Sequence, residues 1–307
     1  MDINNKKATR QSYGEALLEL GKKNEKIVVL DADLSTATKT KLFAKEFPNR
    51  FFDIGIAEQN MITTAAGMST CGKIPYASTF AIFAAGRAYD QIRNSICYPK
   101  LNVKICATHA GITVGEDGAT HQMIEDISLM RTIPNMTVIS TSDDLETKWA
   151  VKEISKIKGP VYLRLSRLAT PIIYNENQKF EIGKAIQIGN GTDGTIFATG
   201  VTVSEALKAQ EQLKQKGIEV RVVDVHTIKP IDKEMIIKCA KETEKLVSIE
   251  DHNVIGGLGT AISEVLTDEY PVNLIRLGIK DTFGKSGKAE ELMKYFGITA
   301  EDIVQKF

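Results

Sequence analysis

Short runs of β-branched and other apolar residues alternate with segments of helical periodicity along the first half of the chain. Alternation of this kind is typical of a parallel sheet covered by helices. The apolar runs predict strands at 26–32, 74–79, 102–108, 136–140 and 161–165. The helical pattern predicts helices near 9–22, 58–70, 84–97 and 143–156. Asp143 and Glu146 stand at the spacing of a capping box, which predicts the start of the last of these helices.

A second alternating series fills the rest of the sequence. Its predicted strands are 195–199, 219–225, 245–250 and 272–278. Thr202 and Glu205, again at capping-box spacing, predict the start of its first helix. Segment 171–182 has no periodicity and several turn formers, which predicts a linker. The sequence therefore predicts an α/β protein of two domains, 1–170 and 183–307.

Composition narrows the possible functions. The chain has 307 residues, 43% of them hydrophobic, with 39 basic and 39 acidic side chains. Because no charge is in excess, nucleic acid and anionic membranes are not expected partners. The N-terminus lacks an apolar targeting region and no stretch approaches the roughly 20 apolar residues that span a bilayer, so a cytoplasmic location is predicted. The four cysteines, without C-x-x-C spacing, are predicted to be buried reduced thiols: Cys71, Cys97, Cys106 and Cys239.

Two glycine-rich stretches resemble ligand-binding motifs only superficially. Residues 189–194 spell G-x-G-x-x-G, but they lie between two strand-like segments, so they predict a hairpin turn and not a dinucleotide site. Residues 256–259 precede a helix, where tight packing on the sheet explains the glycines best. His226 and His252 lack partners at ligand spacing and are predicted to be structural or surface residues.

Residues 109–121, HAGITVGEDGATH, carry two histidines, two acids and three glycines directly after a predicted strand. Loops at the carboxyl ends of strands are where α/β proteins place ligands. Glycines allow close approach of the backbone, acids accept hydrogen bonds from hydroxyls, and histidines exchange protons near neutral pH. The loop suits a polyhydroxylated substrate. A metal site built from His109, Glu116, Asp117 and His121, or a plain hydrated surface loop, are the alternatives.

Two further features follow separate strand-like segments. Glu58 stands where a strand-like segment turns into an apolar helix, a position that the helix dipole alone would also favour. Phe80 and Phe83 are three residues apart after the next strand, a spacing that is usually core. Because all these strands belong to one predicted parallel sheet, the features could meet at one edge of it.

The order of four motifs resembles the pyrimidine-binding domain of the transketolase family: GIAEQNM, STFAIFAAGRAYDQIRNSI, THAGITVGEDGATHQMIEDISLMRTIPNM and LRLSR. The resemblance covers residues 7–170, and residues 183–307 are similar to the third domain of the family. The string G-E-D-G-x-T-H-Q followed by I-E-D is closer to transketolase than to deoxyxylulose-phosphate synthase or to the beta subunits of 2-oxo acid dehydrogenases. The string R-A-Y-D-Q is also similar to the synthase, which stays the nearest alternative.

The resemblance implies thiamine diphosphate as the cofactor. It implies that Glu58 hydrogen-bonds the 1′ nitrogen of the aminopyrimidine ring and so activates the cofactor. Phe80 and Phe83 match an apolar wall for that ring, and Asp33 and Leu34 match residues beside the cofactor. The implied reaction transfers a two-carbon ketol unit from a ketose phosphate to an aldose phosphate.

The resemblance also implies a set of substrate contacts. His109 and His121 match substrate-contacting catalytic histidines, and Asp117 matches an acid that recognises a sugar hydroxyl. Arg10 and Arg167 match arginines that bind the terminal phosphate, a task that suits a planar guanidinium.

One position departs from the family pattern, because Ala37 stands where the family often places a phosphate-binding serine. Phosphate affinity or substrate choice is therefore expected to differ.

A diphosphate-binding domain, with its G-D-G motif and asparagine ligands for Mg²⁺, is not found in the sequence. We therefore expect no metal ligands on this chain and an N-terminal transketolase subunit as its partner, in a two-fold arrangement of two heterodimers. A non-catalytic regulatory subunit is the competing interpretation. Against it stands the combination of Glu58, His109, Asp117 and His121, for which a binding module has no chemical use.

Overall fold

The computed structural model describes residues 2–307. They form two α/β units, one built on a seven-stranded sheet and one on a five-stranded sheet. The strands are β1 Asp2–Ala8, β2 Ile27–Asp31, β3 Phe51–Asp53, β4 Ile74–Phe80, β5 Lys104–Thr108, β6 Thr137–Ser140, β7 Val161–Arg164, β8 Ala169–Ile172, β9 Ile186–Ile188, β10 Gly194–Ala198, β11 Val220–Asp224, β12 Thr227–Lys229, β13 Leu246–Asn253 and β14 Leu274–Ile279. The α-helices are α1 Thr9–Lys23, α2 Ser35–Thr38, α3 Lys41–Glu46, α4 Glu58–Thr70, α5 Tyr89–Gln91, α6 Asp126–Thr132, α7 Asp144–Ile154, α8 Thr202–Gln215, α9 Lys233–Glu242, α10 Leu258–Glu269, α11 Ala289–Tyr295 and α12 Ala300–Val304.

The first sheet has seven strands in the order β12-β6-β7-β5-β4-β2-β3. All neighbouring pairs are parallel except β12 and β6. Apolar side chains cover both faces, as burial of β2, β5 and β7 along their whole lengths requires. The five strands predicted for this half of the chain are present as β2, β4, β5, β6 and β7. The predicted α/β fold is confirmed.

The second sheet has five strands in the order β14-β13-β10-β11-β9. The predicted hairpin at residues 189–194 is wrong, because β9 pairs antiparallel with β11 and not with β10. The loop instead carries the chain across the end of β11. A side chain on Gly191 would place its Cβ only 2.1 Å from the Glu219 carbonyl oxygen, so the crossing needs glycine.

One strand of the second half of the chain belongs to the first sheet. Strand β12, from the second half, extends the first sheet by pairing with β6. Strand β8 reaches Ile172 and pairs with β1, so the first residues of the predicted linker belong to a strand. The next two backbone N–H groups, of Ile173 and Tyr174, donate to Oδ2 of Asp143 at 2.9 and 3.0 Å. The segment that joins the two sheets is therefore anchored, and the domain division at 171–182 stays a prediction.

Both predicted capping boxes need correction. In α7, Asp143 accepts from the Glu146 N–H at 2.9 Å, but the Glu146 carboxylate turns to the Ser142 N–H, so only half of the box forms. In α8, neither predicted bond forms, because Thr202 donates to β13 and Glu205 accepts from the first residue of α12. Tertiary partners have displaced the local bonds that the spacing predicts.

The helix predicted near 84–97 is present in a modified form. Two π-helical turns, Ile82–Arg87 and Ile92–Cys97, flank the short α5. Such turns are frequent near functional sites. Among residues 2–307, no helix combines the length and the hydrophobicity needed to cross a bilayer.

The cysteine prediction is wrong at one position, since Cys71 is exposed at the end of α4 while the other three thiols are buried. His226 and His252 are both fully buried, so the structural interpretation holds for each and the surface one does not. At residues 256–259, the helix N-terminus is bound by a side chain of the protein itself. The Glu250 carboxylate accepts from the Leu258 and Gly259 N–H groups at 2.6 and 2.9 Å.

Candidate active site

The carboxyl ends of four parallel strands, β3, β2, β4 and β5, lie next to one another at one edge of the first sheet. The chain leaves β3 toward Glu58, β4 toward Phe83 and β5 toward His109. Topology therefore brings together side chains that are far apart in sequence.

Four rings at this edge form one surface, which we call the aromatic wall: Phe80, Phe83, His109 and His121. The Phe80 and His109 rings are stacked with centroids 3.8 Å apart, and Phe80 and Phe83 are stacked at 5.9 Å. His121 presents its edge to Phe83 at 5.6 Å. Phe80 is buried and Phe83 is partly exposed, so the wall faces outward at Phe83. These phenylalanines are not purely core residues.

Glu58 is the first residue of α4 and its side chain is almost fully buried. Both carboxylate oxygens accept from Nη1 of Arg87, at 2.9 and 2.8 Å. The Arg87 guanidinium also lies over the Phe83 ring, 4.5 Å from its centroid. The helix dipole favours an acid here, as the sequence suggested, but the buried charge has its main partner in Arg87.

His109 has a left-handed backbone, with φ at 58°, and is only 3% exposed. Its Nε2 lies 3.0 Å from Nη1 of Arg10, which can only donate, so Nε2 accepts. Nδ1 therefore carries the proton and donates to the Thr108 hydroxyl at 2.8 Å. Burial and then the charge of Arg10 lower the pKa of His109 to about 3. His109 is thus a neutral imidazole at physiological pH.

Two arginines stand at the end of the site next to His109. Arg10 donates from Nη1 to the Ala37 carbonyl oxygen at 3.1 Å, beside the position where the family pattern has a serine. Arg167 donates to the Val114 carbonyl oxygen at 2.6 Å and to Oδ2 of Asp117 at 3.3 Å. Burial and then the charge of Arg167 lower the pKa of Arg10, which indicates that the two cations lie on the same side of the site.

The metal interpretation of loop 109–121 does not fit these contacts. His109 directs its free nitrogen at a cation, and the acids Glu116 and Asp117 pair with Arg167, at 3.8 and 3.3 Å. Within the described part of the chain, no three His, Cys, Asp or Glu side chains are grouped as metal ligands.

The loop after β2 carries Asp33 and Leu34 to the same edge. Asp31, buried at the end of β2, accepts from the Leu34 N–H at 2.7 Å through Oδ1 and from the Thr38 hydroxyl at 2.7 Å through Oδ2. Burial raises the pKa of Asp31 to about 6. Asp33 itself has a left-handed φ of 60°, and its N–H donates to Asp53. The loop is held in place by Asp31 and Asp53.

Two family models match this chain: the transketolase pyrimidine binding domain over residues 5–172 and the transketolase C-terminal domain over residues 183–303. The chain belongs to the transketolase family.

Individual relatives agree with this assignment. A chain from Methanocaldococcus jannaschii, named as a transketolase C-terminal section, is 55% identical over 98% of this chain and 95% of its own length. A 6-deoxy-6-sulfo-D-fructose transketolase subunit from a Clostridium species is 44% identical, over 96% of this chain and 92% of its own length. The transketolase of Rattus norvegicus is 41% identical over 99% of this chain but only 49% of its own length. The present chain thus spans about half of the mammalian protein.

A solved structure described as a split gene transketolase, inactive beta4 tetramer, has the same fold. It superimposes with a TM-score of 0.91 at 52% sequence identity, covering 97% of this chain and 96% of its own. Both domains of the transketolase assignment are therefore matched in sequence and in structure.

Sequence reasoning missed three polar side chains at this candidate site. Arg87 had a usable signal, because it follows Phe83 by four residues at the start of the helix predicted near 84–97 and so would lie on the same face. Asp31 ends a strand of the sheet but carries no motif. Asp251, which contacts loop 109–121 from the second sheet, is 138 residues away from Thr113 and left no signal at all.

Proposed function

We propose that this chain is the C-terminal subunit of a two-chain, thiamine-diphosphate-dependent transketolase. It would help to transfer a two-carbon ketol unit from a ketose phosphate to an aldose phosphate. The observation that carries the proposal is the continuity of the site. A buried carboxylate, Glu58, joins through Arg87 and the aromatic wall to the cationic end formed by Arg10 and Arg167.

The residues fit the pyrimidine half of the cofactor. Phe83 offers a partly exposed ring face, and stacking of this kind contributes on the order of 1 kcal/mol. A carboxylate has about four acceptor positions, and Arg87 takes two of those of Glu58, so two acceptor positions are left for a ring nitrogen. When bound, thiamine diphosphate supplies the carbon nucleophile and electron sink for cleaving a bond next to a carbonyl.

Glu58 would hold a proton at the 1′ nitrogen of the pyrimidine ring. Asp33 and Leu34, fixed by the Asp31 and Asp53 contacts, would lie beside the cofactor. Because low-dielectric surroundings strengthen hydrogen bonds to a charged group, burial of Glu58 makes this contact effective.

The histidines and the acid of loop 109–121 would act on the sugar. His109 is neutral and carries its proton on Nδ1, so it would serve as a polar contact and not as a cationic acid. His121 is partly exposed at the edge of the aromatic wall, where it could exchange a proton with a substrate hydroxyl. Asp117 is exposed and would accept a hydrogen bond from a hydroxyl farther along the sugar.

The anionic end of the substrate would lie against Arg10 and Arg167. A pair of guanidiniums binds phosphate through charge-assisted hydrogen bonds. Since Ala37 has no hydroxyl, the donor panel in any assay should extend beyond ordinary sugar phosphates. The Clostridium relative suggests a sulfonated ketose as one member of that panel.

We propose that a separate N-terminal transketolase subunit holds the diphosphate and Mg²⁺. Two findings support a division of the enzyme into two chains. This chain matches only about half of the rat enzyme, and the Methanocaldococcus relative is named as a C-terminal section. Two such pairs related by a two-fold axis are the proposed assembly. The inactive state named for the similar beta4 tetramer belongs to that protein, and it is the behaviour that we expect of the present chain alone.

Calorimetry and a coupled assay test the proposal together. The isolated chain should show no saturable thiamine diphosphate binding and no ketol transfer. Mixing it with the N-terminal subunit should restore Mg²⁺-dependent binding and transfer from ketose phosphates. Turnover by the isolated chain would refute the two-chain arrangement. Condensation of pyruvate with glyceraldehyde 3-phosphate, without ketol transfer, would favour the synthase reaction instead.

A further inference from the structure

The substrate loop, residues 109–121, is held in place by the C-terminal half of the chain. Asp251, near the end of β13, is a buried side chain. Its Oδ1 accepts from the Ile112 N–H at 2.9 Å, and its Oδ2 accepts from the Thr113 hydroxyl at 2.8 Å. One carboxylate of the second sheet therefore fixes both the backbone and a side chain of the loop.

The loop backbone is shaped for this carboxylate. Gly111 has φ at +78°, and a Cβ at this residue would lie 2.0 Å from Oδ2 of Asp251. Both the backbone conformation and the space therefore require glycine. Asp251 is itself fixed, since Nη2 of the buried Arg164 donates to its carbonyl oxygen at 2.7 Å.

A second tether holds the loop farther along. Nε2 of Gln122 donates to the Gly115 carbonyl oxygen at 3.1 Å within the loop and to the Lys285 carbonyl oxygen at 2.8 Å in the second half of the chain. The following residues of that segment cover the loop closely. A Cβ on Gly118 would lie 2.4 Å from the Ser286 hydroxyl oxygen.

We propose that Asp251 and Gln122 are positioning residues that set the place of Asp117 for sugar binding. Asp117 and His121 lie on the stretch that follows the Asp251 tether and ends at Gln122. Two glycines with positive φ, Gly115 and Gly118, would otherwise leave this stretch many conformations. The C-terminal domain thereby acts on substrate binding without touching the substrate.

The inference rests on the proposed ketol transfer for its kinetic consequence, but not for its structural one. A sugar donor presents hydroxyls to Asp117. Hydroxypyruvate has only three carbons, so it has no hydroxyl far enough along the chain to reach Asp117. Loosening the loop should therefore weaken sugar donors selectively. A purely structural role for Asp251 would instead affect both donors alike.

Thr113→Val and Thr113→Ser form a matched pair for the test in the assembled two-chain enzyme. Valine has nearly the shape of threonine but cannot donate to Asp251, while serine keeps the hydroxyl. We expect Thr113→Val to raise KM for the ketose phosphate about fivefold to tenfold, with the hydroxypyruvate KM within about twofold of wild type. Thr113→Ser should restore the sugar KM.

Amide hydrogen exchange of the same chains supplies a readout besides activity. The amides of residues 112–121 should exchange faster in Thr113→Val, with exchange in β4 and β5 unchanged. Gln122→Met removes the second tether and should have the same two effects, which covers the case in which Thr113→Val folds poorly. Unchanged exchange and KM in both variants, or an equal loss for both donors, would overturn the inference. Absence of ketol transfer by the wild-type complex would refute the proposed function alone, since the exchange comparison would still test the tethers.

Discussion

The Glu58 carboxylate and the Arg87 guanidinium form the most unequal pair of the site, because the acid is almost fully buried while the arginine side chain is 46% exposed. Nη1 of Arg87 reaches both carboxylate oxygens, at 2.9 and 2.8 Å. A buried acid needs such a partner, since an unpaired charge is costly away from water. Arg87 therefore pairs with the acid from the solvent side while its guanidinium lies over the Phe83 ring of the aromatic wall.

Glu58→Gln should leave the fold intact and lower turnover of the assembled enzyme by on the order of 10²-fold or more, the scale of lost acid–base assistance. Glutamine keeps the size of the side chain and one acceptor oxygen for Arg87, so the melting temperature should change little. Steady-state kinetics with saturating cofactor would measure the effect. Near-normal turnover would remove Glu58 from its proposed role.

Arg87→Met should destabilise the chain modestly, by about 1–2 kcal/mol, because the partial exposure of the arginine lets water replace part of its contact with Glu58. Methionine retains contact with the Phe83 ring but brings no charge. Chemical denaturation of the isolated chain measures the loss. Adding Glu58→Gln to Arg87→Met should recover much of the lost stability, and failure to do so would show that Arg87 stabilises the fold by another contact.

Arg10→Ala and Arg167→Ala should each weaken use of phosphorylated sugars by roughly 2 kcal/mol while sparing hydroxypyruvate. Arg10 also donates to His109, and Arg167 to the Val114 carbonyl, so each variant needs a test of folding. Comparison of kcat/KM for the two donor types gives the result. Equal losses for both donors would mean that the arginines are structural, and no loss would place the phosphate elsewhere.

The sequence predicted the sheets far better than the details of their connections. Alternating apolar runs located β4 and β5 because these strands are buried on both faces and read as continuous hydrophobic segments. The strand β12 was missed, since three residues are too few for a periodicity. The hairpin at 189–194 and the capping box at Thr202 were wrong because turn and cap signals describe local bonds, and here distant partners supply the stronger ones.

In the candidate site, too, local features could be predicted and contacts with distant partners could not. That Glu58, Phe80 and His109 lie at one edge of the sheet could be predicted, because each stands at or after the end of a strand and belongs to a motif. The neutral state of His109 could not, since it depends on Arg10, which comes from a different element 99 residues away. Asp251 could not be predicted either, because it belongs to the second sheet and is 139 residues away from its partner Ile112.

A buried acid pair links the two halves of the chain behind the site. The Ser142 hydroxyl bridges Oε2 of Glu146 in α7, at 2.9 Å, and Oδ2 of Asp224 at the end of β11, at 2.8 Å. The Tyr174 hydroxyl also donates to Asp224 at 2.8 Å, and Asp143 is a further acid nearby. Burial raises the pKa of Asp224 to about 7, and burial together with the charge of Asp224 raises the pKa of Glu146.

Asp224→Asn should reduce the dependence of stability on pH. Between the ordinary pKa of Asp224, 3.8, and its folded value of about 7, the folded chain keeps a proton that the unfolded chain has lost. The contribution of Asp224 to stability therefore falls as pH rises through this window and is constant above it. Asparagine keeps an acceptor for Ser142 and Tyr174 but does not titrate. Thermal melting at several values between about pH 4 and pH 8 should show a smaller decline for Asp224→Asn than for wild type, while the exposed Glu211→Gln serves as the control. Parallel curves for Asp224→Asn and wild type would show that Asp224 takes up no proton on folding in this range.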